Sequence, residues 1–183
     1  IGKITVFWED MMRLFIAFDV PSEPLVKLQK ELDFKGVRKV NYFHCTLKFL
    51  GDVEDENVDE VRNRLRRVVF KPINANFDKI GFFPNENYAR VIWVGLKPED
   101  EICLLQKKVG EALEGLFVDD KRFLPHVTIA RVSSDEDKNK IIDKVKRFIV
   151  DDRSFKIDGI SLMRSELKRE RAVYTAVDRY DFR

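Results

Sequence analysis

Two short segments hold the residues best suited to chemistry. His44-Cys45-Thr46-Leu47 and His126-Val127-Thr128-Ile129 both read His-x-Thr-hydrophobic. They use the only two histidines of the chain and two of its four threonines. Two such matches would arise by chance in roughly one chain of this composition per 2,000. On a strand, side chains at i and i+2 share a face. His44 and Thr46 then project together, as do His126 and Thr128, while Cys45, Leu47, Val127 and Ile129 face a core. Imidazole titrates near neutrality, so one ring can act as base while the other acts as acid. Hydrolysis or transesterification of a phosphodiester needs both at once. Threonine hydroxyls can donate to the non-bridging oxygens, where charge gathers in the transition state. The scheme requires no metal. The spacing leaves open which ring is acid and which is base.

Other uses of these residues are weaker. A zinc site would need Cys45 beside the histidines, but Cys45 points to the opposite face. No Cys-x-x-Cys or His-Glu-x-x-His spacing is present. The same facing argues against a nucleophilic Cys45. Lys48 shares the His44 face if the strand runs straight, which makes it a candidate phosphate contact. Arg131 has the opposite parity from His126 and reaches a phosphate only if the strand ends or bulges first. Tyr42, Phe83, Tyr88, Arg90 and Trp93 are candidates for stacking on bases, with core packing the default for Trp93. Arg62, Arg64, Arg66 and Arg67 do not share one narrow helix face and read as solvated surface.

The elements that must position these residues follow from periodicity. Arg13–Val20, 42–50, Arg90–Leu96 and Pro125–Arg131 read as strands, with a weaker strand over Asn76–Phe83. Phe155–Arg164 and Val173–Tyr180 read as closing strands separated by a charged turn, Ser165–Arg171. Helical spacing of apolar residues follows Ser22, begins again near Asp55, and covers about 99–115 and Asp135–Ile149. The order strand, helix, strand, helix, strand occurs twice, roughly over 12–83 and 90–180, with an offset of about 80 residues. We expect a single domain over 12–183, with 1–11 an extension of unknown role. The fold class is α+β: two pseudo-symmetric lobes, each a mainly antiparallel sheet covered by helices, with a cleft between them.

Composition narrows the class further. Of 183 residues, 44% are hydrophobic, enough for a packed core. No apolar run approaches the roughly 20 residues that span a bilayer. Two cysteines cannot build a disulfide scaffold. A net charge of +2 does not mark an indiscriminate nucleic-acid binder. The amino end lacks a signal-peptide pattern, so a cytoplasmic protein is expected; a monomer with no obligate protein partner is the expected state.

Arg13–Val20, HCTLKFLG over His44–Gly51 and PHVTIAR over Pro125–Arg131 together resemble the two-histidine phosphoesterases. Within that superfamily the similarity is to the RNA 2′,3′-cyclic phosphodiesterases, also called 2′-5′ RNA ligases. It extends over nearly the whole chain from Met12. The resemblance implies a bilobal fold, no cofactor, and opening of 2′,3′-cyclic phosphate RNA ends to 2′-phosphomonoesters. RNA with such an end, tRNA fragments included, is the implied partner. His44 would be the proton donor and His126 the acceptor, with Thr46 and Thr128 on the phosphate. Lys48, Arg131 and Tyr42 are candidate substrate contacts. Joining to a 2′-5′ linkage is chemically allowed by the same pair. The rival readings are a non-catalytic nucleotide-binding module and a phosphodiesterase for a small cyclic nucleotide.

Overall fold

The structure is a computed structural model that describes residues 11–118, 122–133, 137–150, 154–168 and 171–183. The extension expected over 1–11 lies outside them except for Met11, as do Asp135 and Glu136. In chain order the elements are β1 (Met11–Asp19), α1 (Ser22–Lys30), β2 (Val37–Lys39), β3 (His44–Glu54), α2 (Asp55–Leu65) and β4 (Ile73–Phe83). They continue with β5 (Val91–Lys97), α3 (Glu99–Ala112), β6 (His126–Val132), α4 (Lys138–Val145), β7 (Phe155–Ile157), β8 (Gly159–Lys168) and β9 (Arg171–Asp181).

The strands form two antiparallel sheets, ordered β3-β1-β8-β9 and β2-β6-β5-β4-β7. The twofold repeat is present, with a twist in its connectivity. β1 and β3 pair as β5 and β6 do, but the third strand of each repeat crosses over. β4, from the first repeat, joins β5; β8, from the second, joins β1. The two repeats are thereby interlocked, and neither sheet is built from one half of the chain.

The core explains why the middle of β1, Leu14 to Phe18, is apolar throughout. Leu14, Ile16 and Phe18 enter the main core with Cys45 and Leu47 of β3 and with Ile92, Val94, Val127 and Ile129 of the other sheet. Phe15 and Ala17 point to the opposite face, where they join Met163, Tyr42 and Tyr174 in a separate small cluster. Both faces of β1 are buried, as a near-continuous hydrophobic run requires. The helices add their apolar stripes to the main core, among them Leu25 and Leu28 of α1, Val58 and Val61 of α2, and Ile102 and Leu105 of α3.

Three expectations need correction. Gly51 was expected to end a strand over 42–50, yet β3 runs on to Glu54. Gly51 has φ 76°, which lets it take up a register shift against β1 inside the strand. Phe155–Arg164 is not one strand: β7 pairs with β4, and β8 begins at Gly159 in the other sheet. A Cβ at Gly159 would lie 2.6 Å from the Tyr180 carbonyl oxygen, so this crossing point needs glycine. The expected turn Ser165–Arg171 is largely hairpin, with Lys168 opposite Arg171. Its alternating charges fit a solvated ribbon, with Glu166 paired to Arg164 at 3.0 Å and to Lys168 at 3.6 Å.

Candidate active site

β3 and β6 each begin at their histidine and lie close to each other where the two sheets meet. The Cys45 thiol rests against the His126 backbone amide. This contact sets the two His-x-Thr segments back to back across the approximate twofold. His44 and Thr46 stand on one face of β3, and His126 and Thr128 on the matching face of β6, all partly exposed while Cys45 and Val127 are buried.

Both strands bulge immediately after the threonine. Ala17 pairs with Thr46 but Ile16 pairs with Lys48, leaving Leu47 as the extra residue. Trp93 pairs with Thr128 but Ile92 pairs with Ala130, leaving Ile129 extra. An extra residue inverts the parity of everything that follows. Lys48 is therefore turned toward the core: it is 2% exposed and its Nζ donates to the Val118 carbonyl at 2.9 Å. The straight-strand placement beside His44 does not hold. Arg131 is turned the other way, onto the His126 face and opposite Val91. Phe49 is its counterpart on β3, on the His44 face opposite Phe15.

The surroundings of the two rings differ. His126 Nδ1 lies 2.7 Å from the Leu124 carbonyl. A carbonyl can only accept, so Nδ1 carries the hydrogen and Nε2 presents its lone pair. Phe83 meets the ring edge-on at 4.9 Å and Trp93 lies at 6.1 Å. Burial pushes the His126 pKa down, against the Leu124 hydrogen bond.

His44 sits in an aromatic nest. Tyr42 stacks on it at 5.0 Å, Phe15 lies at 5.1 Å and Tyr174 meets it edge-on at 5.3 Å. Asp19 is its ladder partner, and the Tyr42 hydroxyl donates to the Asp19 carboxylate. Burial pushes the His44 pKa down to about 4; Asp19 and the Tyr42 carbonyl favour the charged ring, while His126 and Arg131 oppose it. The Tyr42 carbonyl acts without closing a hydrogen bond, since Nδ1 is buried and unpaired. Nε2 is left as the nitrogen that can meet a substrate. His126 and Arg131 lie near enough to this ring for their charge to oppose its own.

Other residues singled out in the sequence are dispersed. Cys45 is fully buried and its thiol pKa is pushed up to about 12 by burial, which suits packing rather than nucleophilic attack. Phe83 and Trp93 stack on each other at 5.1 Å and form the wall behind His126. Tyr88 is exposed away from that wall, with Lys138 over its ring. Arg62 and Arg66 approach Asp178, and Arg64 donates to the Glu114 carbonyl at 2.9 Å, so these arginines tie α2 to its neighbours. Asp19, Phe15, Tyr174 and Phe49 escaped the sequence reading. Only the strand register brings them to the histidines.

A family model described as the 2'-5' RNA ligase superfamily matches residues 17–169. The chain belongs to that superfamily. It is similar to an RNA 2',3'-cyclic phosphodiesterase of Methanocaldococcus jannaschii, at 34% identity over 91% of this chain and 98% of the relative. A second relative of the same description, from Archaeoglobus fulgidus, is 39% identical over 75% of this chain and 81% of its own. Among solved structures, a protein of Thermus thermophilus superposes with a TM-score of 0.75 at 29% identity, covering 93% of this chain and 98% of that one. Apo LigT of E. coli shares the fold, with a TM-score of 0.74 at 22% identity over 94% and 98% of the two chains.

Proposed function

We propose that this protein opens 2′,3′-cyclic phosphate ends of RNA to 2′-phosphomonoesters by two-histidine acid–base catalysis. The observation that carries the reading is the pair of His-x-Thr strands converging on one cleft, with His126 Nε2 held as a lone pair by the Leu124 carbonyl. The names of the curated relatives supply the substrate class.

The chemistry follows from the arrangement. His126 Nε2 takes a proton from a water as its oxygen forms a bond to phosphorus. The bond from phosphorus to the 3′ oxygen breaks, and His44 gives that oxygen its proton. The products are a 2′-phosphate and a 3′-hydroxyl; the rings then exchange their protons with solvent. Thr46 and Thr128 donate to the non-bridging oxygens as charge gathers there. Asp19 stands behind His44, where it favours the charged, proton-giving ring. This asymmetry supports His44 as acid and His126 as base. A 5′-hydroxyl in place of the water yields a 2′-5′ linkage by the same steps. No described helix is long and apolar enough to cross a membrane. Both cysteines are free thiols, which fits a cytoplasmic setting.

The test is incubation of the protein, in excess EDTA, with an oligoribonucleotide ending in a 2′,3′-cyclic phosphate. Wild type is expected to open it, and His44→Ala and His126→Ala are each expected to lose at least about a hundredfold in rate. Binding without turnover would make the protein a nucleotide-binding module instead. Turnover of a small cyclic nucleotide in preference to the oligonucleotide would move the substrate class.

A further inference from the structure

We propose that Arg38 and Arg131 together grip a second phosphate of the substrate, the phosphodiester on the 5′ side of the nucleotide that carries the cyclic phosphate. The proposal rests on the phosphodiesterase reading and adds to it a site for RNA beyond the reacting group.

The strand register puts the two arginines side by side. Arg38 of β2 pairs with Arg131 of β6, and directly opposed residues of an antiparallel ladder share a face. The Ser133 amide donates to the Gly36 carbonyl at 2.8 Å and the Val40 amide to the Ile129 carbonyl at 3.2 Å, which closes the ladder on either side of the pair. The neighbours set the face. Val37 and Val132 are opposed and pack into the main core, so the residues next to them, Arg38 and Arg131, point the other way. That is the face to which the bulge at Ile129 returns Arg131, the face of His126 and Thr128. Arg38 thus stands one strand spacing, about 4.8 Å, outside Arg131.

Two features set this pair apart from ordinary surface charge. Like charges directly opposite across a ladder destabilise it. Elsewhere arginines of this chain face carboxylates: Arg13 meets Asp52 at 2.9 Å and Arg179 meets Asp181 at 2.8 Å. Among the described residues, no carboxylate pairs with Arg38 or Arg131. A phosphate between the two guanidiniums removes their repulsion and accepts from both. The second feature is that β2 is an addition to the twofold repeat. β3 is an edge strand of its sheet, whereas β6 has β2 laid along its outer side. This extra strand is only Val37–Lys39, and the buried Gln29 fastens it by donating to the Val40 and Ile129 carbonyls.

The chemistry names the phosphate. Along β6 the first charged side chain beyond Thr128 is Arg131, and Arg38 lies one strand further out. A phosphate that meets both is a different one from that held by Thr46 and Thr128. The cyclic phosphate lies at the end of the RNA, so every other phosphate of the substrate is on the 5′ side of the terminal ribose. The nearest of these is the 5′ phosphodiester of the terminal nucleotide. Contacts to a phosphate carry no base preference, so the pair grips the chain without reading its sequence.

The experiment compares two small substrates. One is a nucleoside 2′,3′-cyclic phosphate with a free 5′ hydroxyl. The other is the same nucleotide with a 5′ methylphosphate, which supplies the diester charge without a second base. Wild type is expected to prefer the methylphosphate in kcat/KM by about tenfold, in line with hydrogen bonds to a charged group. Arg38→Thr should remove most of that preference through KM, and Arg38→Lys should keep part of it. On an oligoribonucleotide with a cyclic phosphate end, the slope of log kcat/KM against log salt should become shallower by about 0.7 in Arg38→Thr, the value for one phosphate contact on a single strand. Removing one of two opposed like charges should leave Tm unchanged or raise it, which a structural role for Arg38 would not do. Equal losses on both nucleotides, an unchanged salt slope or no preference in wild type would overturn the second phosphate site while leaving the phosphodiesterase reading intact. Failure of wild type to open any of the three substrates would overturn both.

Discussion

Asp19 stands opposite His44 across the β1–β3 ladder, whereas the residue opposite His126 on β5 is Gly95. The two positions are equivalent in the twofold repeat, so this is where the repeat departs from symmetry. A carboxylate near an imidazole favours its charged form, and a glycine offers nothing of the kind. Two histidines that the spacing makes interchangeable thus have different electrostatic surroundings. The Tyr42 hydroxyl fixes the carboxylate, and its ring covers the imidazole.

Asp19→Asn removes the charge and keeps the shape. The His44 pKa in the free protein should fall further below its ordinary value, because Asp19 now raises it. The fraction of molecules with a protonated acid then drops, most steeply above the pKa. Expected is a loss of about tenfold in kcat/KM at neutral pH, recovered in part as the pH is lowered. Rate profiles of both proteins between pH 4 and 9 check it. A uniform loss at every pH would mean that Asp19 only holds structure.

The pH optimum should move when substrate binds. Both histidine pKa values lie below the ordinary one in the empty cleft, chiefly through burial. The productive form needs His44 charged and His126 neutral, a minority at neutral pH. The bell for kcat/KM, which reports the free protein, should therefore peak on the acid side of about 6.5. A bound phosphodiester is anionic, favours the charged imidazoles and raises both values. The bell for kcat should sit at higher pH, each limb belonging to the pair rather than to one ring. Bells that coincide would show that the phosphate does not approach the rings.

The His-x-Thr pairs were legible because a period of two needs no tertiary information. The residues after them were not. Whether Lys48 or Arg131 faces the cleft depends on one extra residue in each strand, and that is decided by pairing with β1 and β5. The sequence around Lys48 and Arg131 does not announce it. Asp19 read only as the polar end of a strand, since its meaning lies in a partner 25 positions away. The exchange of β4 and β8 between sheets was hidden for a similar reason. Their hydrophobic patterns fit a half-buried strand in either sheet, so the antiparallel architecture was visible and the interlocking was not. Gly51 was misread because a glycine with positive φ serves a bulge as well as a stop.

Gly81→Ala should damage the site from behind. Gly81 pairs with Trp93 across β4 and β5, and the indole lies flat over it. An added Cβ would overlap Trp93 Cζ2, so the ring must move. Trp93 stacks on Phe83, and Phe83 holds the His126 ring edge-on. A displaced indole thus loosens the base. Expected are a stability loss of about 1–3 kcal/mol, as for overpacking, and a fall in kcat at unchanged KM. Trp93→Val in the same chain should return much of the stability, giving a coupling that a double-mutant cycle measures. Additive effects would show that the two side chains do not press on each other.

Gln29 supports the bulge from the other side. It is buried at the end of α1, and its Nε2 donates to the Val40 carbonyl at 2.8 Å and to the Ile129 carbonyl at 2.7 Å. Ile129 is the extra residue of β6, whose carbonyl also accepts from the Val40 amide at 3.2 Å. The side chain thus clamps the chain before β3 to the bulge that turns Arg131 into the cleft. Gln29→Ala leaves the Val40 carbonyl without its donor and opens a small cavity. The expected cost is about 2–3 kcal/mol, or a fall in Tm of about 5–10 °C for a chain of this size. If the bulge relaxes, Arg131 loses its place, and kcat/KM on the cyclic phosphate end should fall more than in Arg131→Ala alone. Gln29→Glu sharpens the test. Its ionised carboxylate cannot donate to either carbonyl, so it should be less stable than Gln29→Ala at pH 8 and recover as the pH falls toward 4. A Gln29→Glu protein as stable at pH 8 as at pH 4 would mean that the two carbonyls find other donors, and that the clamp does not hold the bulge.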